Sequence, residues 1–228
     1  MLKPRPGILD LPLYKLADTA TTAERITMLA ANECAVEPSP RALAAYRDYA
    51  ARLRRYPDAS GAPLRAALGA RFGIEPTRIV CGNGSEELIY LLARAYAGPG
   101  DEVVVRQYGY LLFELAARVA GAIPVVAPAR DLALDVDAIV GAVTPRTRIV
   151  FIANPNNPTG DFTSAAAIEG LWRRLRDDIL LVIDAAYADY VVPAGDDETM
   201  QRLGSAPNVV FLRTFSKAYG LASLRIGW

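Results

Sequence analysis

The chain has 228 residues, 52% of them hydrophobic, which is typical of a globular protein with a sizeable core. Its 25 basic residues equal its 25 acidic residues, and no basic block is interleaved with aromatics, so neither nucleic acid nor an anionic membrane surface is expected as a partner. Histidine is absent, which excludes Ser-His-Asp and Cys-His catalysis and leaves lysine, tyrosine or a carboxylate for any proton transfer.

The N-terminal segment and the two cysteines indicate the cellular compartment. No run of about 18 apolar residues occurs, and prolines and charges interrupt the N-terminus where a signal peptide needs an apolar run. Cys34 and Cys81 lack CxxC spacing, so neither a disulfide framework nor a metal site is expected. We expect a cytoplasmic protein.

The first elements are punctuated by proline. Residues 1–35 are predicted to form an irregular arm that could lie on another subunit, because Pro4, Pro6 and Pro12 block a long helix. Ser39-Pro40 is typical of an N-cap followed by proline at the first helical position, and it predicts a helix to about residue 53. A second helix is predicted over residues 62–72.

Strands and helices then alternate. Short apolar runs rich in β-branched residues predict strands over residues 79–81, 102–105, 124–126, 148–152, 179–183 and 209–212. Helices are predicted between most of them, over residues 86–97, 110–120, 136–143 and 164–176. This pattern predicts a three-layer α/β/α fold whose central sheet is mostly parallel. Sites in such sheets lie beyond the carboxyl ends of the strands.

Lys217 is the most informative residue. Only Lys3, Lys15 and Lys217 among the 25 basic residues are lysines, and Lys217 lies in the Gly-punctuated segment TFSKAYGLASLRIG. Arginine cannot replace lysine where a neutral amine must attack a carbonyl, because the guanidinium stays protonated. The choice of lysine here indicates a Schiff-base residue. A surface lysine beside a loop serine is the alternative.

Two further loops follow predicted strands. GNGSEEL precedes a helix whose first amides, at Ser85 and Glu86, could hold a phosphate; a Gly-rich turn with Ser85 as the N-cap is the alternative. NPNNPTG places Asn156 and Asn157 between prolines, where an amide side chain is presented at a defined place or simply forms a turn.

The predicted strand over residues 179–183 is followed by Asp184, with Tyr187 three residues later. A carboxylate at the end of an apolar strand needs a partner, because leaving it buried and unpaired is costly. A protonated pyridine nitrogen would suit a lysine imine enzyme, since the carboxylate keeps that ring an electron sink. Capping of the next turn is the alternative.

These four segments, in this order and at these separations, resemble the fold-type I pyridoxal-phosphate aminotransferases of class I/II. The subgroup that the chain is most similar to is histidinol-phosphate aminotransferase, which RPGILD, the segment Tyr56-Pro57-Asp58 and RTFSKAYGLASLRIG also resemble. The resemblance covers nearly the whole chain. It implies pyridoxal 5'-phosphate as the cofactor.

The resemblance implies a role for each matching residue. Lys217 binds the cofactor covalently and later acts as the base beside the substrate Cα. The cofactor phosphate is held by hydroxyls, a guanidinium and backbone amides, namely those of Thr214, Ser216, Arg225, Ser85 and Glu86.

The ring contacts follow in the same way. Asp184 pairs with the pyridine nitrogen, Asn157 and Tyr187 hydrogen-bond the ring hydroxyl oxygen, and Tyr110 stacks on the ring. Tyr56 reaches the phosphate of a neighbouring subunit's cofactor, which implies a homodimer. Asn32 is assigned to the substrate side.

Several departures from the family pattern stand out. Ala185 replaces the glutamate that usually follows the strand-end aspartate, and NECAVEPSP keeps Asn32 but loses a proline and a glycine. RQYGYLLF lacks the usual proline, so Tyr110 is chosen over Tyr108 by alignment. The sequence stops at Trp228, before the family's small C-terminal domain and its arginine for the substrate carboxylate.

The sequence therefore predicts an arm over residues 1–35 and an incomplete cofactor-binding large domain over residues 36–228. The predicted reaction converts histidinol phosphate and 2-oxoglutarate to imidazole acetol phosphate and glutamate, in histidine biosynthesis. Another class I/II amino-acid aminotransferase, a threonine-phosphate decarboxylase-like enzyme and an inactive truncated fragment are the alternatives. Residues 1–228 alone are expected to self-associate and to show negligible transamination.

Overall fold

The computed structural model describes residues 29–191 and 197–228. Five strands form one sheet in the order β2-β1-β3-β4-β5, and every neighbouring pair is parallel. The strands are β1 (Glu102–Arg106), β2 (Ile123–Ala127), β3 (Thr147–Ala153), β4 (Leu180–Asp184) and β5 (Val209–Leu212). The predicted parallel α/β fold is thus confirmed.

Seven α-helices accompany the sheet in the described residues: α1 (Pro40–Ala50), α2 (Ala62–Phe72), α3 (Ser85–Tyr96), α4 (Leu111–Ala120), α5 (Val136–Gly141), α6 (Ala165–Trp172) and α7 (Glu198–Leu203). Short 3₁₀ turns lie at Pro76–Arg78, Ala188–Tyr190 and Ala222–Leu224. Ser39 caps α1 by accepting a hydrogen bond from the amide of Arg41, as the Ser-Pro pair predicted. Each helix in the described ranges is too short or too polar to cross a membrane.

Helices cover both faces of the sheet. On one face α3 and α4 pack around Phe113 and Phe151, whose stacked rings lie 4.9 Å apart. On the other face α5 and α6 pack against the opposite side chains of the same strands. Within β1, Val103 and Val105 pack on the first of these faces and Val104 packs on the other. Truncating a buried ring such as Phe151 to alanine costs about 3–5 kcal/mol, so the two layers fix the sheet firmly.

The strand predicted over residues 79–81 is wrong. Residues 79–81 pair with no described strand; only the adjacent Gly82 makes an antiparallel bridge, to Gly227, and one bridge is too little for a ladder. Its apolar character is explained by packing, because Ile79 is buried against Leu68 and Trp228. The structure differs from the sequence-based prediction at two other places. Helix α1 ends at Ala50 rather than near residue 53, and α7 is an additional helix that the sequence did not predict. Most of the predicted arm, residues 1–28, lies outside the described residues.

The strand register brings the candidate loops together. Ala153 of β3 aligns with Asp184 of β4, which aligns with Leu212 of β5. The loops after these three strands therefore start at the same edge of the sheet. The chain reverses its direction of winding between β1 and β3, and ligands of open parallel sheets bind beside such a switch point.

Candidate functional site

Lys217 lies half-buried in the loop after β5. Its Nζ donates hydrogen bonds to the carbonyl oxygens of Ala31 (2.9 Å) and Asn32 (3.2 Å). Burial lowers the pKa of Lys217 and the charge of Arg225 lowers it further, while Glu33 and Asp184 act in the opposite direction. At a given pH, a larger fraction of Lys217 is therefore in the neutral, nucleophilic form than of a free lysine.

Asp184 ends β4 and is only 4% exposed. Among the described residues its carboxylate accepts one hydrogen bond, from the amide of Ala186 (3.0 Å). Burial raises the pKa of Asp184 to about 6, although the Ala186 amide and the charge of Lys217 both favour the ionised form. The carboxylate thus caps the next turn, as one interpretation of the sequence had it, and keeps lone pairs for a cation.

Tyr187 and Asn32 complete the surroundings of Lys217. The Tyr187 hydroxyl accepts a hydrogen bond from Asn32 Nδ2 (3.0 Å), and its ring centroid lies 5.6 Å from Lys217 Nζ. Asn32 adopts a left-handed backbone conformation (φ 51°), which asparagine tolerates better than most residues. The structure therefore brings Asn32, Tyr187 and Lys217 into one cluster, with the charge of Asp184 acting on the amine.

Hydroxyl and guanidinium donors meet in the segment that follows β5. Arg225 Nη1 donates to Ser216 Oγ (3.1 Å), and Thr214 Oγ1 accepts a hydrogen bond from the Ser216 amide (3.1 Å). Arg225 itself adopts a left-handed backbone conformation (φ 52°). Such a group of donors suits a phosphate.

The N-terminus of α3 lies against these donors. Gly84 precedes the helix with φ 84°, and no side chain caps the helix start. A Cβ on Gly84 would lie 2.4 Å from Arg225 Nη2, and a Cβ on Gly227 would lie 2.4 Å from the Ser85 nitrogen. Gly84 occupies the N-cap position, so Ser85 is the first helical residue and does not cap the helix. The uncapped amides of Ser85 and Glu86 and the positive end of the helix dipole favour an anion here.

The remaining sequence-predicted residues lie in other loops and elements. Tyr110 is half-buried at the start of α4, with its ring edge-on to Phe113 at 5.6 Å, whereas Tyr108 is exposed. Asn157 is half-buried in the loop after β3. Tyr56 is fully exposed.

The model of one protein family, "Aminotransferase class I and II", matches residues 24–228 of the chain. The chain belongs to the class I and II aminotransferases. Among curated members, it is 50% identical over 226 residues to histidinol-phosphate aminotransferase of Paramagnetospirillum magneticum, covering 99% of this chain and 62% of that protein. The protein of the same name from Rhodospirillum centenum is 49% identical, with the same coverage. This aminotransferase chain thus spans about 62% of the length of these relatives.

Solved aminotransferase structures agree in fold. Histidinol-phosphate aminotransferase from Sinorhizobium meliloti, solved in complex with pyridoxal 5'-phosphate, superposes with a TM-score of 0.81 at 33% identity. That match covers 86% of this chain and 54% of the other. Thermus thermophilus aspartate aminotransferase, at 24% identity and a TM-score of 0.78, shares the fold, with 87% of this chain and 55% of the other covered.

The sequence analysis did not identify a buried group of ion pairs at the start of the Lys217 segment. Arg213, 3% exposed, contacts Asp189 Oδ1 through Nη2 (2.9 Å) and Asp197 Oδ2 through Nη1 (3.2 Å). Its guanidinium also lies 5.2 Å from the Phe72 ring centroid. Because Arg213 directly follows β5, this group ties the start of the Lys217 segment to the turn after Tyr187. The one sequence signal was an arginine continuing an apolar strand.

Proposed function

We propose that this chain carries the pyridoxal 5'-phosphate site of an aminotransferase that moves the amino group of histidinol phosphate to 2-oxoglutarate, a step of histidine biosynthesis. The observation that carries the proposal is the contact of Lys217 Nζ with the Asn32 carbonyl (3.2 Å) and with the Tyr187 ring (5.6 Å to its centroid), in the loops that follow β4 and β5, with buried Asp184 at the end of β4. Lys217 has a lowered pKa and Asp184 a raised one, and each acts on the other electrostatically. Two titratable groups perturbed in this way are typical of a site of proton transfer.

The donor set fits the cofactor. Asp184 offers a buried carboxylate with free lone pairs for a protonated ring nitrogen, and Thr214, Ser216 and Arg225 offer phosphate donors beside the uncapped start of α3. The close approach of Gly227 to that helix start leaves no room for a Cβ. The backbone is thus shaped as a cradle, which the dianionic phosphate suits.

When bound, pyridoxal phosphate supplies a carbonyl that condenses with amines and a ring that accepts the electron pair released at Cα. Lys217 would hold the cofactor through Nζ until a substrate amine displaced it. The freed amine would then move the proton from the substrate Cα to the cofactor carbon that receives the amino group. The lowered pKa of Lys217 favours this, because only the neutral amine is a base.

Other residues orient the ring. Asp184 would keep a proton on the ring nitrogen, Asn157 and Tyr187 would bind the ring hydroxyl oxygen, and Tyr110 would pack on the ring face. Asn32 is assigned to the substrate side, and its Nδ2 donates a hydrogen bond to the Tyr187 hydroxyl (3.0 Å). These assignments rest on the positions of the residues at the sheet edge and on the family to which the chain belongs.

A homodimer is part of the proposal. Tyr56 is fully exposed, and α1 buries none of its residues within the chain, so a large part of this end of the molecule is free to contact a second copy. In such a dimer Tyr56 reaches the cofactor phosphate of the partner.

Amino transfer tests the function directly. Protein produced from its natural gene is incubated with pyridoxal phosphate, histidinol phosphate and 2-oxoglutarate, and glutamate is measured. We expect glutamate formation that Lys217→Arg abolishes, since the guanidinium neither condenses nor acts as a base. Transfer from aspartate or another amino acid but not from histidinol phosphate refutes the proposed substrate, and carbon dioxide released from threonine phosphate identifies a decarboxylase.

A further inference from the structure

Asn156 is a buried polar residue to which the proposed function assigns no role. It is 3% exposed, and its Nδ2 donates hydrogen bonds to the carbonyl oxygen of Tyr108 (2.9 Å) and to Thr159 Oγ1 (2.8 Å). Its Oδ1 accepts no hydrogen bond from any described residue. The side chain is therefore used as a donor, and its bond to Tyr108 joins segments 48 residues apart in sequence.

The two segments are the loops after β1 and β3, the neighbouring strands at the switch point of the sheet. Tyr108 has a left-handed backbone (φ 54°), a conformation that a bulky non-glycine residue keeps only when its surroundings hold it. The residue after Asn156 is Asn157, and Tyr110 is two residues beyond Tyr108. The hydrogen bond thus connects the backbones that carry the ring-stacking tyrosine and the ring-hydroxyl asparagine.

A buried ion pair supports the same two loops. Arg106, the last residue of β1, contacts Asp161 at 3.0 Å with its own side chain only 2% exposed. The Asp161 carbonyl oxygen accepts the amide of Asn156 (2.8 Å). A Cβ on Gly109 would lie 3.0 Å from Arg106 Cγ, so the loop after β1 lies directly on the Arg106 side chain. The loop pair is therefore held at two points.

We propose that Asn156 is a positioning residue, which sets the spacing between Tyr110 and Asn157 and so the orientation of the cofactor ring between them. This inference rests on the proposed function. It assigns to Asn156 an effect that passes through the Tyr108 backbone and through Asn157, without contact between Asn156 and the ring.

Asn154 provides a matched control. It lies in the same loop, is 7% exposed, and bonds the backbone of Thr163 through both its Nδ2 (2.9 Å) and its Oδ1 (2.8 Å). Those bonds stay within one loop, whereas the Asn156 bond crosses to the other. Asn156→Ala and Asn154→Ala therefore remove comparable buried amides, and only the first releases the loop after β1.

The first measurement is hydrogen exchange of residues 107–113 in cofactor-free protein. Release of the Tyr108 carbonyl should accelerate exchange about tenfold in Asn156→Ala and leave it unchanged in Asn154→Ala. If the alanine variant fails to fold, Asn156→Ser replaces it. The shorter serine side chain keeps a hydroxyl beside Thr159 but does not reach Tyr108, so the same acceleration is expected. Equal exchange in the Asn156 and Asn154 variants overturns the inference.

The second measurement is the pKa of the imine nitrogen that joins Lys217 to the cofactor, followed by absorbance as pH is varied. A looser Asn157 stabilises the ring oxyanion less, so this pKa should rise by on the order of one unit in Asn156→Ala or Asn156→Ser and stay constant in Asn154→Ala. If wild-type protein gains no cofactor absorbance, the proposed function fails. If wild-type protein gains it and all variants titrate alike, only the positioning role of Asn156 fails.

Discussion

At the scale of single residues, the buried carboxylate of Asp184, to which we assign the cofactor ring nitrogen, lowers the stability of the fold when it is ionised. Its carboxylate is buried with one hydrogen bond, and its pKa is raised from 3.8 to about 6. A carboxyl group whose pKa is raised by folding favours the native state only while it is protonated. The native state therefore loses stability as pH rises from about 4 to about 6, and the loss persists above that range.

This gives a prediction for cofactor-free protein. Relative to Asp184→Asn, the wild-type free energy of unfolding should fall by about 2 kcal/mol between pH 4 and pH 7, because a tenfold change in proton affinity on folding corresponds to about 1.36 kcal/mol and part of the change already lies below pH 4. Urea denaturation at both pH values measures the difference. Asp177→Asn, at an exposed position, serves as the control and should track the wild type. A wild-type-to-Asp184→Asn difference that is constant with pH contradicts the burial of an unpaired carboxylate.

The same residues show what the sequence could predict. The sequence singles out Asp184 and Lys217 as candidates because a carboxylate after an apolar strand and a lone lysine in a Gly-punctuated loop are both chemically unusual. The bond from Asn156 to Tyr108 and the Arg213 ion pairs could not be found in this way. They join segments far apart in sequence, and their partners follow only from the strand order and register.

At the scale of elements, the apolar runs predicted the five strands well, since each strand is shielded by helices on at least part of its surface. The run at residues 79–81 misled because burial of Ile79 comes from packing on α2 and Trp228 rather than from a ladder. Helix α7 was missed because six residues are too few to show a helical pattern of apolar side chains. Its N-terminus is nevertheless capped by Asp197, whose side chain accepts a hydrogen bond from the Met200 amide.

The contact between Gly227 and the start of α3 gives an element-scale prediction. A Cβ at residue 227 would lie 2.4 Å from backbone atoms of Gly84 and Ser85, so Gly227→Ala must push the helix start away from Thr214 and Ser216. We expect affinity for pyridoxal phosphate to fall at least about tenfold, or about 1.4 kcal/mol, in an equilibrium absorbance titration.

Gly170→Ala is the matched control for that substitution. Gly170 lies inside α6, where an added Cβ meets nothing within 4 Å. Cofactor affinity should be unchanged, and stability should rise by up to about 1 kcal/mol because alanine is the better helix former. Equal affinities in the two variants refute the phosphate cradle.

At the scale of the whole molecule, one parallel sheet gathers the loops that carry Asp184, Tyr187 and Lys217 at a single edge, and the family model spans residues 24–228. The chain spans about 62% of the length of its curated relatives. Within this part of the chain, we propose that Lys217 is the amine that holds pyridoxal phosphate.

The most direct test is to trap that bond. Protein incubated with pyridoxal phosphate is reduced with borohydride, digested, and mapped by mass spectrometry. We predict a single phosphopyridoxyl label on Lys217, because burial lowers the pKa of this amine and phosphate donors lie beside it. Lys3 and Lys15 serve as internal comparisons, since they are the other lysines of the chain. A label on Lys3 or Lys15 instead, or no label on Lys217, would contradict the account.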